Sequence, residues 1–148
     1  MPDQIKTRSA ALPGHLIRRL HQLSTKVFTE GVKAAGHDVT PIQFVALDAI
    51  GQNEGVDQAG LAEAIAKDRA TTGAVVDRLE QKGLLTRDVS PRDKRARVLA
   101  LTPQGRALLA ELTPVVEALQ ADILPGLTPQ EYAQFIALAQ KATATSGD

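Results

Sequence analysis

The chain has 148 residues, 43% of them apolar, and its 17 Lys/Arg balance its 17 Asp/Glu; this fits one globular domain over 1–148 with a core of ordinary size, built from aliphatic rather than aromatic side chains. The absence of cysteine excludes disulfides and thiolate metal sites and is compatible with a reducing compartment. No apolar run approaches a membrane span and the opening MPDQIKTRSA lacks a signal-peptide core, so a cytoplasmic protein without a membrane partner is expected.

Residues 1–11 are polar and are expected to be mobile. Leu12-Pro13-Gly14 opens a helix predicted to run to about Ala35. Leu16, Leu20, Leu23 and Val27 form one stripe along it; Ile17, His21, Ser24 and Phe28 form a neighbouring one. A helix apolar on two sides has two surfaces to cover, and a second subunit could supply one cover. Gly36-His37-Asp38 ends this helix. Thr40 then serves as N-cap of the next, with Pro41 at its first position and Gln43 completing a capping box. Phe44, Val45, Leu47 and Ile50 supply its buried face, and residues 51–55 form a polar turn leading to Asp57, a cap for the following helix.

Residues 57–102 read as short helix, tight turn, longer helix, strand, basic loop, strand. Leu61, Ala62 and Ile65 give the first helix a short stripe, and Lys67-Asp68-Arg69 interrupts it. Thr72, Val75, Val76 and Leu79 form the second stripe, and Gly83 stops it. Thr71, Ala74 and Arg78 share the opposite, outward face. Leu85, Arg87 and Val89 alternate as a strand does, as do Arg97, Leu99 and Leu101, around the turn-forming tip Ser90-Pro91-Arg92-Asp93-Lys94-Arg95. Thr102-Pro103 begins a long helix with Leu108, Leu112, Val115, Leu119 and Ile123 at helix-seam spacing. Pro114 is expected to kink it and Pro125-Gly126 to break it. Thr128-Pro129-Gln130-Glu131 caps a last helix carrying Tyr132, Phe135, Ile136 and Ala139, and ATATSGD is expected to fray.

The fold class expected is mostly α (α+β): a winged helix-turn-helix over 40–102, with helices 12–35 and 103–141 forming a dimerisation region. Across 67–97 nine Lys/Arg face five Asp/Glu, so this stretch is positive inside a neutral chain, the footprint of a polyanion partner. Outward arginines and charge runs are individually common on solvated surfaces. Two helices, a hairpin and a basic tip in this order are more specific to double-stranded DNA. A hydroxyl, a small apolar group and a guanidinium suit a major groove, which places Thr71, Ala74 and Arg78 against bases, with Arg69 and Thr72 at the start of the helix. Arg92, Lys94 and Arg97 are expected at phosphates.

The run DRATTGAVVDRLEQKGLLTRDVSPRDKRARVLALTPQG resembles the signature of the MarR (multiple antibiotic resistance regulator) family of bacterial transcription regulators. The matching wing pattern is Asp93, Arg95, Leu101, Thr102 and Gly105. The resemblance implies an obligate homodimer in which each subunit offers one winged helix to half of a palindromic operator, with repression the commoner mode. It also implies Arg95 in the minor groove and Asp93 holding a wing arginine in place. Gly14-His15-Leu16-Ile17-Arg18-Arg19-Leu20-His21, with Thr40–Phe44 and Asp68–Thr72, is similar to the subgroup that controls breakdown of aromatic compounds such as hydroxybenzoates or hydroxycinnamates. On that likeness a small aromatic carboxylate is the expected effector, met by Arg18 through a paired hydrogen bond and by His21 as donor, with His15 and Phe44 beside it.

The three histidines, His15, His21 and His37, have no metal-ligand spacing, and no phosphate loop, nucleophile elbow or Cys-His pair is present. No metal, no cofactor and no enzymatic activity are expected. Two other readings remain: a winged helix used as a protein–protein adaptor, which has no need of a basic wing, and an architectural DNA binder without a ligand.

Overall fold

Hydroxyl and carboxylate caps mark where every α-helix after the first begins, and the first opens on Pro13 without one. The structure, a computed structural model, describes residues 7–144. It contains α1 (Pro13–Ala34), α2 (Pro41–Gln52), α3 (Gln58–Ala64), α4 (Arg69–Gln81), β1 (Leu85–Val89), β2 (Arg97–Leu101), α5 (Pro103–Gln120) and α6 (Pro129–Ala144). Gln43 N donates to Thr40 Oγ1 and Thr40 N to Gln43 Oε1, both at 3.2 Å, so the predicted capping box of α2 is closed. Thr128 and Glu131 form the same box at α6. At α5, Thr102 Oγ1 accepts from Gly105 N at 3.0 Å and donates to Gly83 O at 2.7 Å, tying the helix start to the end of α4.

The helices end by a shared device. After α1 and α4, Gly36 (φ +87°) and Gly83 (φ +75°) take the left-handed conformation, and paired backbone bonds return to the last turn, as in His37 N→Val32 O and Leu84 N→Leu79 O. The turn between α3 and α4 makes the same pair of bonds through Ala66 at φ +54°. A side chain there stores strain, because Cβ crowds the following carbonyl.

Two apolar clusters follow. Leu47, Leu61, Val76, Leu79, Leu85 and Leu99 join α2, α3, α4 and the sheet. Phe28, Val32, Val39, Leu112 and Val116 join α1 to α5. The hairpin is antiparallel, with Leu85 opposite Leu101 and Val89 opposite Arg97, and Leu99 N→Val56 O at 2.8 Å pins it to the strand-like approach to α3. The predicted two-sided character of α1 is real: only Phe28 and Val32 are buried, while Leu16, Ile17 and Leu23 are 43%, 64% and 46% exposed. No residue of α6 is buried.

Several expectations need correction. Residues 8–11, expected to be mobile, form a 3-10 turn. The helix α2 runs through Gly51 to Gln52, and the missing Cβ of Gly51 leaves room for the Leu109 side chain. The long helix continues past Pro114 but stops at Gln120, since tight bonds such as Ile123 N→Gln120 O replace the helical ladder; Ile123 therefore lies outside the seam. Ala142–Ala144 belong to α6 rather than to a frayed tail. The remaining expectations for the chain ends, at 1–6 and 145–148, lie outside the described residues. Among the described residues no helix is long and apolar enough to cross a membrane.

Two substitutions should act in opposite directions. A Cβ at Gly105 would collide with the backbone carbonyl of Leu84, so Gly105→Ala should cost about 2 kcal/mol or more and lower Tm by roughly 5 °C or more. Ala66→Gly should relieve the left-handed strain and stabilise by about 0.5–1 kcal/mol. Thermal melts of both variants check the signs; a Tm lowered by Ala66→Gly would contradict the strain argument.

Candidate nucleic-acid interface

The face that α4 presents is set by the face it buries. Thr72, Val75, Val76 and Leu79 are buried, and Thr71, Ala74 and Arg78 are left exposed on the other side, with Arg69 exposed in the first turn. Thr72 must be withdrawn from the predicted contact set. It is 0% exposed and its hydroxyl donates to Asp68 O at 2.8 Å, because it lies in the apolar stripe that seats the helix.

The N-terminus of α4 is closed by Asp68. Its Oδ1 accepts from Thr71 N and its Oδ2 from Thr71 Oγ1, both at 2.7 Å. The Thr71 amide first, then its hydroxyl, hold the Asp68 carboxyl below its ordinary value of 3.8. Thr71 thus reaches outward with its donor engaged and its lone pairs free to accept.

The wing tip is organised by a residue the sequence reading left without a role. Ser90 Oγ accepts from Arg92 N and Asp93 N at 3.2 and 3.3 Å, and Ser90 N→Ala96 O closes the loop at 3.0 Å. Asp93 Oδ1 accepts from Arg95 N at 2.9 Å, a bond to the main chain and not to the guanidinium. The Ser-Pro-x-Asp run carried the signal, since both side chains favour such local turns. Arg92, Lys94, Arg95 and Arg97 are all exposed.

Arg87 behaves differently from these cations. Its Nη2 pairs with Asp77 Oδ1 at 2.6 Å and Glu80 Oε1 at 3.1 Å, clamping β1 to α4. The bond to Arg87 holds Glu80 below the usual carboxylate range, and the bonds from Glu80 and Asp77 raise Arg87. Among the described residues, Arg69, Arg78, Arg92, Lys94, Arg95 and Arg97 take part in no ion pair. These six lie along the outer side of α4 and on the wing; among the described residues Arg18, Arg19, Lys26 and Lys33 of α1 are likewise in no ion pair.

The predicted effector residues are not gathered within one chain. Arg18 and His21 are exposed on α1 and His15 is half-exposed. His21 lines an open groove of about 350 Å³ with Ile17, Leu20, Tyr132 and Phe135; the other three do not. Phe44 packs on the α1–α5 cluster instead, its ring 6.1 Å from that of Phe28 and tilted 54°. A larger cavity, about 650 Å³, lies between the end of α2, β2 and α5, lined by Asp48, Gly51, Arg106, Leu109 and Thr113 among others. Arg106 has only a long, exposed pair with Glu54 at 3.8 Å. The sequence offered no sign of this cavity, whose walls come from three separate elements.

A family model described as MarR family matches residues 37–96. The transcriptional regulator HosA of Escherichia coli O111:H- is 31% identical over 127 residues, covering 86% of this chain and 91% of the relative. Bordetella bronchiseptica BpsR, whose DNA binding is regulated by 6-hydroxynicotinic acid, superposes with a TM-score of 0.84 at 31% identity, covering 94% of this chain and 97% of that one. The transcriptional repressor CouR, bound to a 23-mer DNA duplex, superposes with a TM-score of 0.81 at 29% identity over 96% of this chain and 99% of its own.

The Asp68 cap makes a pH prediction. A carboxylate whose folded pKa is depressed stabilises the fold above its unfolded pKa, and that contribution is lost as the pH falls through the folded value. Asp68→Asn keeps an acceptor for the Thr71 amide but no charge. Wild type should therefore melt higher than Asp68→Asn at neutral pH, and the gap should close on acidification below 3.8. A gap that is constant across that range would show that the charge contributes nothing.

Proposed function

Because the chain belongs to the MarR family of transcriptional regulators, we propose that it binds a palindromic operator as a homodimer, represses transcription there, and is released by a small hydroxylated aromatic acid. The observation that carries this reading is the row of unpaired cations on α4 and the wing. In a chain of zero formal net charge, six guanidinium or ammonium groups stand exposed beside a helix face of matching groove chemistry. In this reading Thr71, Ala74 and Arg78 meet base edges, Arg69 joins them at the start of the helix, and Arg95 enters the minor groove. Arg92, Lys94 and Arg97 meet phosphates.

The dimer is built from helices within 12–35 and 103–141, whose apolar faces a single chain leaves uncovered. Two recognition helices fit adjacent major grooves when about 34 Å apart, so an effector acts by favouring another separation. The effector class follows from BpsR, which responds to 6-hydroxynicotinic acid, and from the 650 Å³ cavity, which has room for a single ring and offers Arg106 to its carboxylate. His15, Arg18 and His21, spread along one side of α1, are candidates to complete that site from a facing subunit.

Duplexes selected from a random library by mobility shift, then titrated by fluorescence anisotropy, test the reading. A palindrome with half-sites about one turn apart is expected. Arg78→Ala should relax base preference, and Lys94→Ala should flatten the salt dependence by about one unit of slope per subunit. Added 6-hydroxynicotinate should release the duplex, less effectively in Arg106→Ala. Binding to all duplexes alike would point to an architectural protein, and no binding at low salt to an adaptor.

A further inference from the structure

The recognition helix has one polar tether to the rest of the molecule that neither the wing nor the core requires. Its main packing is against α2, α3 and β1, all parts of the winged helix-turn-helix, the DNA reader. Lys82, the residue that closes its C-terminus, reaches back to α2 and also beyond that unit. Its Nζ donates to the backbone carbonyl of Asp38 at 2.7 Å and to Gln43 Oε1 at 3.3 Å. Asp38 belongs to the junction between α1 and α2, and Gln43 to the first turn of α2. Gln43 is itself buried and locked in the capping box with Thr40.

The other side of the same junction is tied to α5. His37 Nε2 lies 3.2 Å from Glu111 Oε1, and Val39 is part of the cluster that joins α1 to α5. The short segment 36–40 therefore grips the α1–α5 arm with one end of its contacts and the end of α4 with the other. A lysine ammonium at a helix C-terminus is favoured by the helix dipole wherever it points. This one is aimed across 44 residues of sequence at a single carbonyl, a charge-assisted bond with directional preference.

We propose that Lys82 is a positioning residue: its ammonium fixes the C-terminal end of α4 to the α1–α2 junction, so that the spacing of the two recognition helices follows the arms that hold the dimer. This rests on the dimeric reading above. The lever is long. A 13-residue helix spans about 20 Å, so a tilt of about 10° pivoting at Lys82 carries its N-terminus about 3 Å, more than a base-edge hydrogen bond tolerates.

The chain has no cysteine, so Ala70→Cys, exposed at the start of α4, places one spin label on each subunit, and pulsed EPR reads the distance between them without DNA. The parent should give one narrow distance distribution. Lys82→Met, which keeps the aliphatic stem, should melt within a few degrees of the parent yet broaden the distribution about twofold. Lys82→Gln, too short to reach Asp38, should do the same and serves if the first variant folds poorly. A distribution as narrow as the parent's in both variants overturns the inference and leaves the dimer intact. No inter-label distance in the parent overturns the dimeric reading and the inference with it.

Discussion

The orientation of α4 about its own axis governs what this molecule can present to a partner. Thr72, Val75, Val76 and Leu79 are all buried, and successive residues of a helix are separated by about 100°. Turning the helix by one residue would expose Leu79 or bury Arg78, and either change is costly. Leu79 shares its cluster with Leu85 and Leu99 of the hairpin, so the packing that orients the helix also sets where the wing stands. Gly105 closes the arrangement, seated where only a hydrogen fits beneath the carbonyl of Leu84.

The basic residues of α4 and the hairpin differ in what they are paired with. Arg87 is as basic as Arg95, but it lies between Asp77 and Glu80 and serves the contact between strand and helix. Lys82 is directed inward to a carbonyl. The wing cations are held apart from carboxylates by a loop whose own polar groups are satisfied locally, by Ser90 and Asp93 bonding main-chain amides. Engaging Asp93 with an amide leaves the Arg95 guanidinium unpaired. A neutral chain thereby acquires a positive side, the physical basis for steering toward a polyanion.

The arms are incomplete in the opposite sense. The first half of α1 and much of α6 carry apolar side chains that the single chain leaves exposed, Ile17 and Leu138 foremost. The family to which the chain belongs gives that surface its proposed use, a second copy. The cavity beside Arg106 sits where α5 meets α2 and the second strand, at the seam between arm and reader. A molecule bound there would act on the angle between the two, which is the quantity a two-headed DNA binder has to control.

Local chemistry made much of this legible in the sequence. Thr40, Asp57, Thr102 and Thr128 marked helix starts because each side-chain oxygen meets an amide only three residues on. The order of helices and strands, the outward set Thr71, Ala74 and Arg78, and the basic wing followed from periodicity and turn chemistry over short spans. Periodicity placed Thr72 in the buried stripe, yet a threonine near a helix start also suits a groove, and its burial and its bond to Asp68 O decide between the two. The sequence alone did not reveal the clamp at Arg87, the reach of Lys82 to Asp38, the tilted contact of Phe44 with Phe28 or the cavity that Arg106 lines. Each of these joins residues from different elements, and their partners are fixed only when the buried clusters set the angles between helices. The chain itself determined which groups would be available; tertiary packing decided which of them are engaged internally and which are left to face a partner.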